Sequence, residues 1–332
     1  MTPPLRTSPE VADALADARP VVALESTIVA HGLPRPDNLR VAQTVEQVVR
    51  DHGATPATIA VLDGTVHVGL EPDELTRVAT EDLTKLSVRD LGPAVARGSS
   101  GSTTVAATVR LARTVGIEVM ATGGLGGVHR GARDTWDESA DLTTLATTGM
   151  VVVCAGVKSV LDVDATLERL ETLGVAVVGY RTDRFPAFYL ADSGAPVDWR
   201  VDRPDEVAAV VSARLALGLH RSSVVVAQPV ASELALRPEE HRLALADGLA
   251  AADAAGVAGK DVTPFLLAWL HRATSGASLR ANEAIIVANA GLAAEVSDAL
   301  RAGTGASRAD AGPSDPGDPR GSRPERGSSG RE

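Results

Sequence analysis

Lys158 is a candidate nucleophile because it lies just beyond an apolar run in the middle of the chain. Val151–Cys154 has the composition of a buried strand, and Lys158 follows it after three small or apolar residues. At such a strand end, desolvation and the dipole of the next helix favour the neutral amine, whose lone pair can attack carbon. A phosphate-binding lysine is the main alternative. Only Lys85, Lys158 and Lys260 are lysines among the 32 basic residues, and arginine cannot serve as an amine nucleophile.

Glu25 is a second candidate for chemistry. It directly follows the apolar run Val21–Leu24, where partial burial would raise the pKa of its carboxyl group and suit it to general acid–base work. A capping or salt-bridged carboxylate is the structural alternative, and the local sequence alone favours that alternative.

Two segments rich in glycine and hydroxyl groups could bring backbone close to a ligand. Residues 97–105 enter a helix and predict either a phosphate cradle or a flexible turn with a helix cap. They lack the Gly-Lys-Ser/Thr of a Walker loop. Residues 121–131 have glycine at 123, 124, 126 and 127, a spacing that does not match the dinucleotide fingerprint. We therefore expect a ligand site that does not bind a dinucleotide.

Acidic residues follow the second glycine segment. Asp137, Glu138 and Asp141 could hold a hard cation through oxygen atoms, with retained waters completing the shell. The alternative is an acidic helix start that favours the macrodipole, and without other evidence the alternative is preferred.

Two asparagines lie on one predicted helix near the end of the chain. Asn282 and Asn289 are separated by two helical turns and so share a face. An amide donates and accepts at once, which suits the edge of a nucleobase. Equally, both amides could bond across helices within the core.

The elements that must position these residues alternate between short β-branched runs and amphipathic segments, which predicts an α/β fold. Thr58–Leu62 and Thr65–Val68 flank Asp63-Gly64, a hairpin signal that predicts a mixed sheet. The other predicted strands are Val21–Leu24, Glu118–Ala121, Met150–Ala155, Val175–Gly179 and Ser223–Ala227. Helices are predicted from a capping Asp37 onward and over Ser102–Thr114, Ser159–Leu173, Pro204–Leu217, Pro238–Ala255, Thr263–Ala273 and Leu279–Leu300.

Composition narrows the class of function. The 332 residues carry a net charge of −11, which argues against nonspecific nucleic-acid binding and against docking on an anionic membrane. No long uncharged apolar run is present, and the N-terminus lacks the apolar region of a signal peptide. The single cysteine, Cys154, excludes an internal disulfide, is expected to be a small core residue, and fits a reducing cytoplasm.

Three regions are expected along the chain. Residues 1–19 form a polar N-terminal segment, residues 20–302 form the catalytic domain, and residues 303–332 form a disordered tail. The tail has almost no large apolar side chain, so burial cannot offset the entropy of ordering it.

Taken together, the segments resemble the pseudouridine-5′-phosphate glycosidase family, whose relatives include an indigoidine-synthesis protein. The resemblance covers residues 20–301, and many motifs in one order make it specific. The matching stretches are ALESTIVAHGLPRPDN, GATPATIAVLDG, KLSVRDL, GSSGSTTVAAT, GGLGGVHRGA, WDESADL, VVVCAGVKSVLD, GYRTDRFPAFY, GKDVTPFLL and SLRAN.

This resemblance implies a three-layer α/β/α sandwich around a central mixed sheet, assembled as a homotrimer. It implies reversible cleavage of pseudouridine 5′-phosphate by water to uracil and ribose 5-phosphate, with Mn²⁺. Lys158 would be the nucleophile, Glu25 the proton donor and Asp137 the metal ligand. The residues implied to contact the substrate are Lys85, Val105, Ser139, Ala140, Asp141 and Asn282.

The implied reaction explains why a lysine is needed. The sugar of pseudouridine is joined to carbon, so ordinary two-carboxylate glycosidase chemistry is ill matched to it. We expect Lys158 to attack C1′, open the ribose and form an iminium while Glu25 delivers a proton to the uracil carbon. The alternatives are a Schiff-base lyase acting on another sugar phosphate and a sugar-phosphate-binding protein without catalysis.

Overall fold

The computed structural model describes residues 4–257 and 259–310. Within these ranges eleven strands form one mixed sheet, and the prediction of an α/β fold is confirmed. The strands are β1 (Leu5–Thr7), β2 (Val21–Glu25), β3 (Thr55–Leu62), β4 (Thr65–Val68), β5 (Thr84–Leu86), β6 (Gly101–Thr103), β7 (Val119–Ala121), β8 (Val151–Cys154), β9 (Ala176–Tyr180), β10 (Arg200–Val201) and β11 (Val224–Ala227).

Helices lie on both faces of the sheet. They are α1 (Pro9–Ala16), α2 (Asp37–Asp51), α3 (Pro72–Thr80), α4 (Val88–Ala96), α5 (Val105–Thr114), α6 (Ala132–Thr135), α7 (Ala140–Thr147), α8 (Val163–Thr172), α9 (Pro204–Ala216), α10 (Pro238–Ala254), α11 (Val262–Ala273) and α12 (Ala277–Asp310). A π-helical turn (Ile28–Gly32) follows β2, and a short 3₁₀ helix (Gly259–Asp261) precedes α11. None of the helices in the described ranges is long and apolar enough to cross a membrane.

The strand order is β1-β4-β3-β2-β7-β8-β11-β9-β10. From β3 through β2, β7, β8, β11 and β9 to β10 each neighbouring pair is parallel, so the carboxyl ends of these strands lie at one edge. That edge is where α/β sheets build ligand sites. Antiparallel pairs join β3 to β4 and to β6. The strand β5 pairs with β6 in the parallel direction.

The central strand β8 shows why the sandwich has three layers. Val152 and Cys154 pack into the core that α1, α5, α7, α8, α10 and α11 cover, whereas Val151 and Val153 pack into the core beneath α2, α9 and α12. Because successive side chains point to opposite faces, an apolar run buried on both sides is stable only between two helical layers. The three-layer α/β/α prediction and the burial of Cys154 are confirmed.

The hairpin at Asp63-Gly64 joins β3 and β4, as predicted. Asp63 and Gly64 have φ of 52° and 76°, the left-handed values that a two-residue turn between antiparallel strands requires. A Cβ on Gly64 would lie 2.8 Å from Cα of Gly98 and 2.9 Å from O of Val95. Both backbone conformation and space therefore require glycine at this position.

Some helix boundaries differ from the predictions. The helix predicted at Ser102 begins at Val105, because Gly101–Thr103 pairs with β3 and β5 and Thr104 accepts from the N–H of Ala107 as the N-cap. The helix predicted at Ser159 begins at Val163, with Asp162 as its N-cap. Asp37 is not the N-cap of α2 but its first helical residue, after Pro36.

Both ends of the chain carry elements beyond the expected limits of the catalytic domain. Within residues 1–19, β1 pairs with β4, and Val11 and Ala14 of α1 are fully buried in the core. At the other end α12 continues to Asp310, past the expected boundary at residue 302. The remainder of the predicted disordered tail, residues 311–332, lies outside the described residues.

We expect Gly64→Ala to lower the free energy of unfolding by about 2–4 kcal/mol. The alanine would be held in the left-handed backbone conformation, and its Cβ would also overlap neighbouring backbone atoms. Gly174→Ala is the matched control, since Gly174 has φ of 66° but no atom within 4 Å of the added Cβ. It should cost only about 1 kcal/mol. Urea unfolding measures both variants, and equal losses would contradict the close contact at Gly64.

Candidate active site

A cleft of about 970 Å³ opens at the carboxyl edge of the sheet. Its size lies at the upper end of the range for small-molecule sites. Its floor is formed by residues that follow β2, β7 and β8, and its opposite wall by α10, α11 and the segment between them. The predicted site residues that line it are Glu25, Lys85, Val105, Asp137, Ser139, Ala140, Asp141, Lys158 and Asn282.

Glu25 ends β2, and its carboxyl group is buried at the floor of the cleft, with the residue 7% exposed. Thr122 Oγ1 donates a hydrogen bond to Glu25 Oε1. Burial raises the pKa of this carboxyl above its usual value, and the positive charge of Lys158 only partly opposes that effect. The raised pKa favours the acid–base interpretation of Glu25, which its local sequence alone ranks below a capping or salt-bridged carboxylate.

Lys158 lies in the turn between β8 and α8. Its N–H donates to O of Leu125 at 3.0 Å, and its Nζ donates to O of Gly124 at 2.5 Å. The segment after β7 therefore holds both the backbone and the amine of Lys158. The charge of this lysine acts on Glu25 and on Lys85, which places all three groups around one space.

The glycine segment after β7 is packed too tightly for side chains. A Cβ on Gly124 would lie 2.7 Å from Cδ2 of Phe188, and one on Gly126 would overlap the Ser139 hydroxyl. Phe188 is itself held at φ of 56°, an unusual value for a residue other than glycine. The close packing brings bare backbone to the surface of the cleft, beside the amine of Lys158.

Asp141 holds two of the site's backbone segments together. It is 5% exposed; its Oδ1 accepts from the N–H of Ala106 at 2.9 Å and its Oδ2 from the N–H of Gly126 at 2.8 Å. Ser139 is the N-cap of α7 and accepts from the N–H of Asp141. The carboxylate of Asp141 thus joins the start of α5 to the glycine segment.

Of the three acidic residues considered for a cation, Asp137 is the one whose carboxylate is best placed. Both oxygens of Asp141 accept backbone bonds, and Glu138 Oε2 accepts from Arg169 Nε at 3.0 Å. The Asp137 side chain is 39% exposed, and its Oδ2 lies 3.8 Å from Nδ1 of His129. Burial lowers the pKa of His129, which favours the neutral ring.

A divalent cation fits this place if most of its ligands are not protein atoms. Among residues 4–257 and 259–310, no group of three or more His, Cys, Asp or Glu residues could hold a metal ion. Carboxylate and water oxygens suit Mn²⁺, and such ions often keep several waters and bind substrate phosphate. Asp137 can therefore supply one ligand of a cation, with water and substrate supplying the others.

Lys85 and Val105 lie at the side of the cleft where an anion would be favoured. Burial, and then the nearby positive charge of Lys158, lower the pKa of Lys85. Val105 is the first residue of α5, and its apolar side chain is buried at 2% exposure. What Val105 offers a ligand is consequently the backbone at the helix start, where the dipole favours negative charge.

The two asparagines have different surroundings. Asn282 is 3% exposed and lines the cleft; its Nδ2 donates to O of Gly32 at 3.4 Å, while its Oδ1 has no partner in the described structure. Asn289 donates to O of Thr122 at 2.8 Å inside the core. The nucleobase interpretation thus suits Asn282, and the core interpretation suits Asn289.

Several cleft residues were not singled out from the sequence as site residues. They include His31, Arg130 and Phe188, and the wall residues Leu249 and Val262. No local signal identifies Leu249, because α10 begins only at Pro238, far from Lys158 along the chain. The signal that could have found the other four is the family resemblance, since each of them lies in one of the stretches that carry it.

Comparisons with known proteins agree with the resemblance. The family model described as indigoidine synthase A like protein matches residues 10–299. A pseudouridine-5′-phosphate glycosidase from Salinispora tropica is 60% identical, over 90% of this chain and 92% of the relative. A pseudouridine-5′-phosphate glycosidase from Saccharopolyspora erythraea is 55% identical, over 88% of this chain and 97% of the relative.

Two solved structures share the fold. The prealnumycin C-glycosynthase AlnA, solved with ribulose 5-phosphate, is 39% identical with a TM-score of 0.84, over 91% of this chain and 98% of that one. An indigoidine synthase A-like protein from Thermotoga maritima is 36% identical with a TM-score of 0.82, over 90% of this chain and 96% of that one. With a family model spanning most of its length and relatives this similar, the chain belongs to the indigoidine synthase A like family.

Proposed function

We propose that the protein cleaves the carbon–carbon glycosidic bond of pseudouridine 5′-phosphate reversibly, yielding uracil and ribose 5-phosphate. One observation carries the proposal: the amine of Lys158 and the buried carboxyl of Glu25, whose pKa is raised by burial, meet in one cleft. Relatives that are 52–60% identical over most of the chain bear the name of this activity.

The cleft offers a different surface to each part of this substrate. The phosphate lies at the start of α5, near Lys85, where the helix dipole and the ammonium charge attract an anion. The sugar lies on the glycine backbone beside Lys158. The free Oδ1 of Asn282 accepts an N–H of uracil, which satisfies a buried acceptor.

In the first step the amine nitrogen of Lys158 bonds to C1′ and the bond from C1′ to the ring oxygen breaks. The nitrogen passes a proton to that oxygen, so the sugar opens without a change in net charge. Arginine cannot perform this step, because its guanidinium does not lose its proton at working pH. The Gly124 carbonyl and the Leu125 carbonyl orient the attacking residue.

In the second step Glu25 donates its proton to C5 of uracil, and the positive charge spreads through C6 to N1. The bond from C1′ to C5 then breaks and its electrons restore the C5–C6 double bond, while the nitrogen lone pair of Lys158 forms the iminium. Water hydrolyses the iminium, which frees ribose 5-phosphate and the amine and returns the proton to Glu25. Burial raises the pKa of Glu25, which favours the protonated form that this role needs.

A Mn²⁺ ion at Asp137 belongs to the proposal. It would neutralise negative charge on the bound phosphate substrate. Support comes from the partly exposed carboxylate of Asp137 on the cleft and from the neighbouring His129, whose pKa is lowered by burial. The homotrimer implied by the resemblance and the cytoplasmic location stay predictions.

The second candidate function is the same lysine chemistry acting on a sugar phosphate that is joined to a different base. The AlnA structure holds ribulose 5-phosphate and is named a C-glycosynthase, which favours a family-wide sugar-phosphate site. The relatives named as pseudouridine-5′-phosphate glycosidases are more similar to this chain than AlnA is, at 52–60% against 39% identity. Analysis of the products from pseudouridine 5′-phosphate separates the two: uracil supports the first, and an intact substrate supports the second.

Lys158→Arg should abolish uracil release from pseudouridine 5′-phosphate in a protein that still folds, because no amine remains to bond to C1′. Uracil release is followed by chromatography, and borohydride trapping with mass mapping locates the reduced sugar adduct on Lys158 of the wild type. Lys85→Arg is the matched control: it keeps a positive charge near the phosphate and should raise KM while turnover continues. Substantial turnover by Lys158→Arg would contradict the covalent mechanism.

The turnover rate of the wild type should fall as pH rises through the raised pKa of Glu25, because the proton donor is then lost. Glu25→Gln should lower the rate about 10²–10⁴-fold and abolish that decline, since glutamine does not titrate. It should still form the trapped adduct with ribose 5-phosphate, because imine formation needs only Lys158. A Glu25→Gln enzyme with the wild-type rate and pH profile would exclude Glu25 as the acid.

Asp137→Asn should weaken Mn²⁺ binding at least about 10-fold, measured by titration calorimetry, because a carboxylate ligand is lost. Glu138→Gln is the control from the next position, since that carboxylate already bonds to Arg169. It should bind Mn²⁺ as the wild type does. Equal weakening in both variants would show that the acidic segment acts only through its general charge.

A further inference from the structure

A buried hydrogen bond links the residue after Lys158 to the opposite wall of the cleft. Ser159 Oγ lies 2.7 Å from Nε2 of His241, and the two residues are 3% and 4% exposed. Buried polar side chains are costly unless each finds a partner, and here the two satisfy each other. Neither residue lines the cleft, so no step of the proposed reaction uses them directly.

The contacts of Lys158 show what this bond could control. The backbone N–H and the amine of Lys158 are held by Leu125 and Gly124, both from the segment after β7. Its carbonyl accepts from the N–H of Leu161 at 2.9 Å, which closes the turn before α8. The bonds to Leu125 and Gly124 tie this turn to the segment after β7, whereas the bond from Ser159 to His241 ties the same turn to α10.

His241 lies near the start of α10, whose later residues Leu249, Ala252 and Asp253 line the cleft. This helix packs closely on α11: a Cβ on Gly248 would lie 2.8 Å from Cδ1 of Trp269. Both helices therefore behave as one wall. The bond at His241 fixes the place where this wall meets the turn that carries the nucleophile.

The bond is between neutral groups at ordinary pH. Burial lowers the pKa of His241 to about 4, and the positive charge of Arg130 acts in the same direction. A neutral imidazole has one donor and one acceptor nitrogen, so Nε2 can bond the hydroxyl in either sense. The ring of Tyr189, 6.4 Å away between centroids, packs beside it.

We propose that the hydrogen bond between Ser159 and His241 positions Lys158 for attack on C1′ by holding its turn against α10. The inference rests on the proposed function, because it gives Lys158 the role of nucleophile. Displacement of a reacting group by about 1 Å can cost about 10²-fold in rate. Loss of the bond should therefore slow the covalent step more than it weakens substrate binding.

The test compares Ser159→Ala, His241→Leu and His241→Gln with the wild type. Rapid borohydride trapping with ribose 5-phosphate measures the rate of imine formation on Lys158, and uracil release gives kcat and KM. Ser159→Ala removes one oxygen atom and should fold even if His241→Leu does not. Ser223→Ala is the matched control, since Ser223 is fully buried and donates to O of Thr148 at 2.6 Å just before β11, away from the carboxyl edge.

We expect Ser159→Ala and His241→Leu to slow trapping and kcat at least about 10-fold, with KM changed less than about threefold. His241→Gln should restore most of the rate, because its amide offers a donor and an acceptor near the place of Nε2. Ser223→Ala should lower the melting temperature without slowing trapping.

Wild-type trapping rates in Ser159→Ala would overturn the positioning role, as would an equal loss in Ser223→Ala. If the wild type itself released no uracil and formed no adduct, the proposed function would fail, and the inference with it. An adduct and uracil from the wild type, with no effect of the variants, would overturn the inference alone.

Discussion

The site depends on backbone pairing that continues past the ends of two parallel strands. Beyond β7 and β8, the N–H of Ala155 donates to O of Gly123 and the N–H of Leu125 donates to O of Gly156, both at 2.9 Å. The N–H of Lys158 extends the same pairing, because it donates to O of Leu125. Glycines are needed along this stretch because neighbouring side chains such as Phe188 and Ser139 occupy the space that a Cβ would fill. Lys158, the proposed nucleophile, is thus placed by a continuation of the sheet, which is more rigid than a free loop.

The electrostatics of the cleft follow from the same construction. Burial raises the pKa of Glu25 and lowers that of Lys85, so both groups are shifted toward their neutral forms. A phosphate bound near Lys85 would favour its charged form again, because an opposite charge lies nearby. In the proposed reaction, substrate binding would thus favour the positive charge of Lys85 beside the phosphate, while the raised pKa of Glu25 favours the form that carries the proton.

The sequence was sufficient for those parts of the site that depend on local pattern. The apolar run of β8 identifies the strand and so the place of Lys158, and the hairpin at Asp63-Gly64 identifies the antiparallel part of the sheet. The strand β6 could not be found, because Gly101–Thr103 has weak strand propensity and is held by pairing with β3 and β5. The pairing of Ser159 with His241 was equally hidden, since it joins positions 82 residues apart.

Asp141 shows why residue type alone does not assign a role. Its residue type and position predict a cation ligand beside Asp137, and the family resemblance implies that it contacts the substrate. In the fold its two oxygens accept N–H groups from Ala106 and Gly126, which come from different segments. Each oxygen of Asp141 already accepts one backbone N–H, and together these bonds fix the direction in which the carboxylate points. Asp141 therefore holds in place the two backbone segments that the phosphate and sugar would contact in the proposed reaction, and of these two carboxylates Asp137 is the one better placed for a cation.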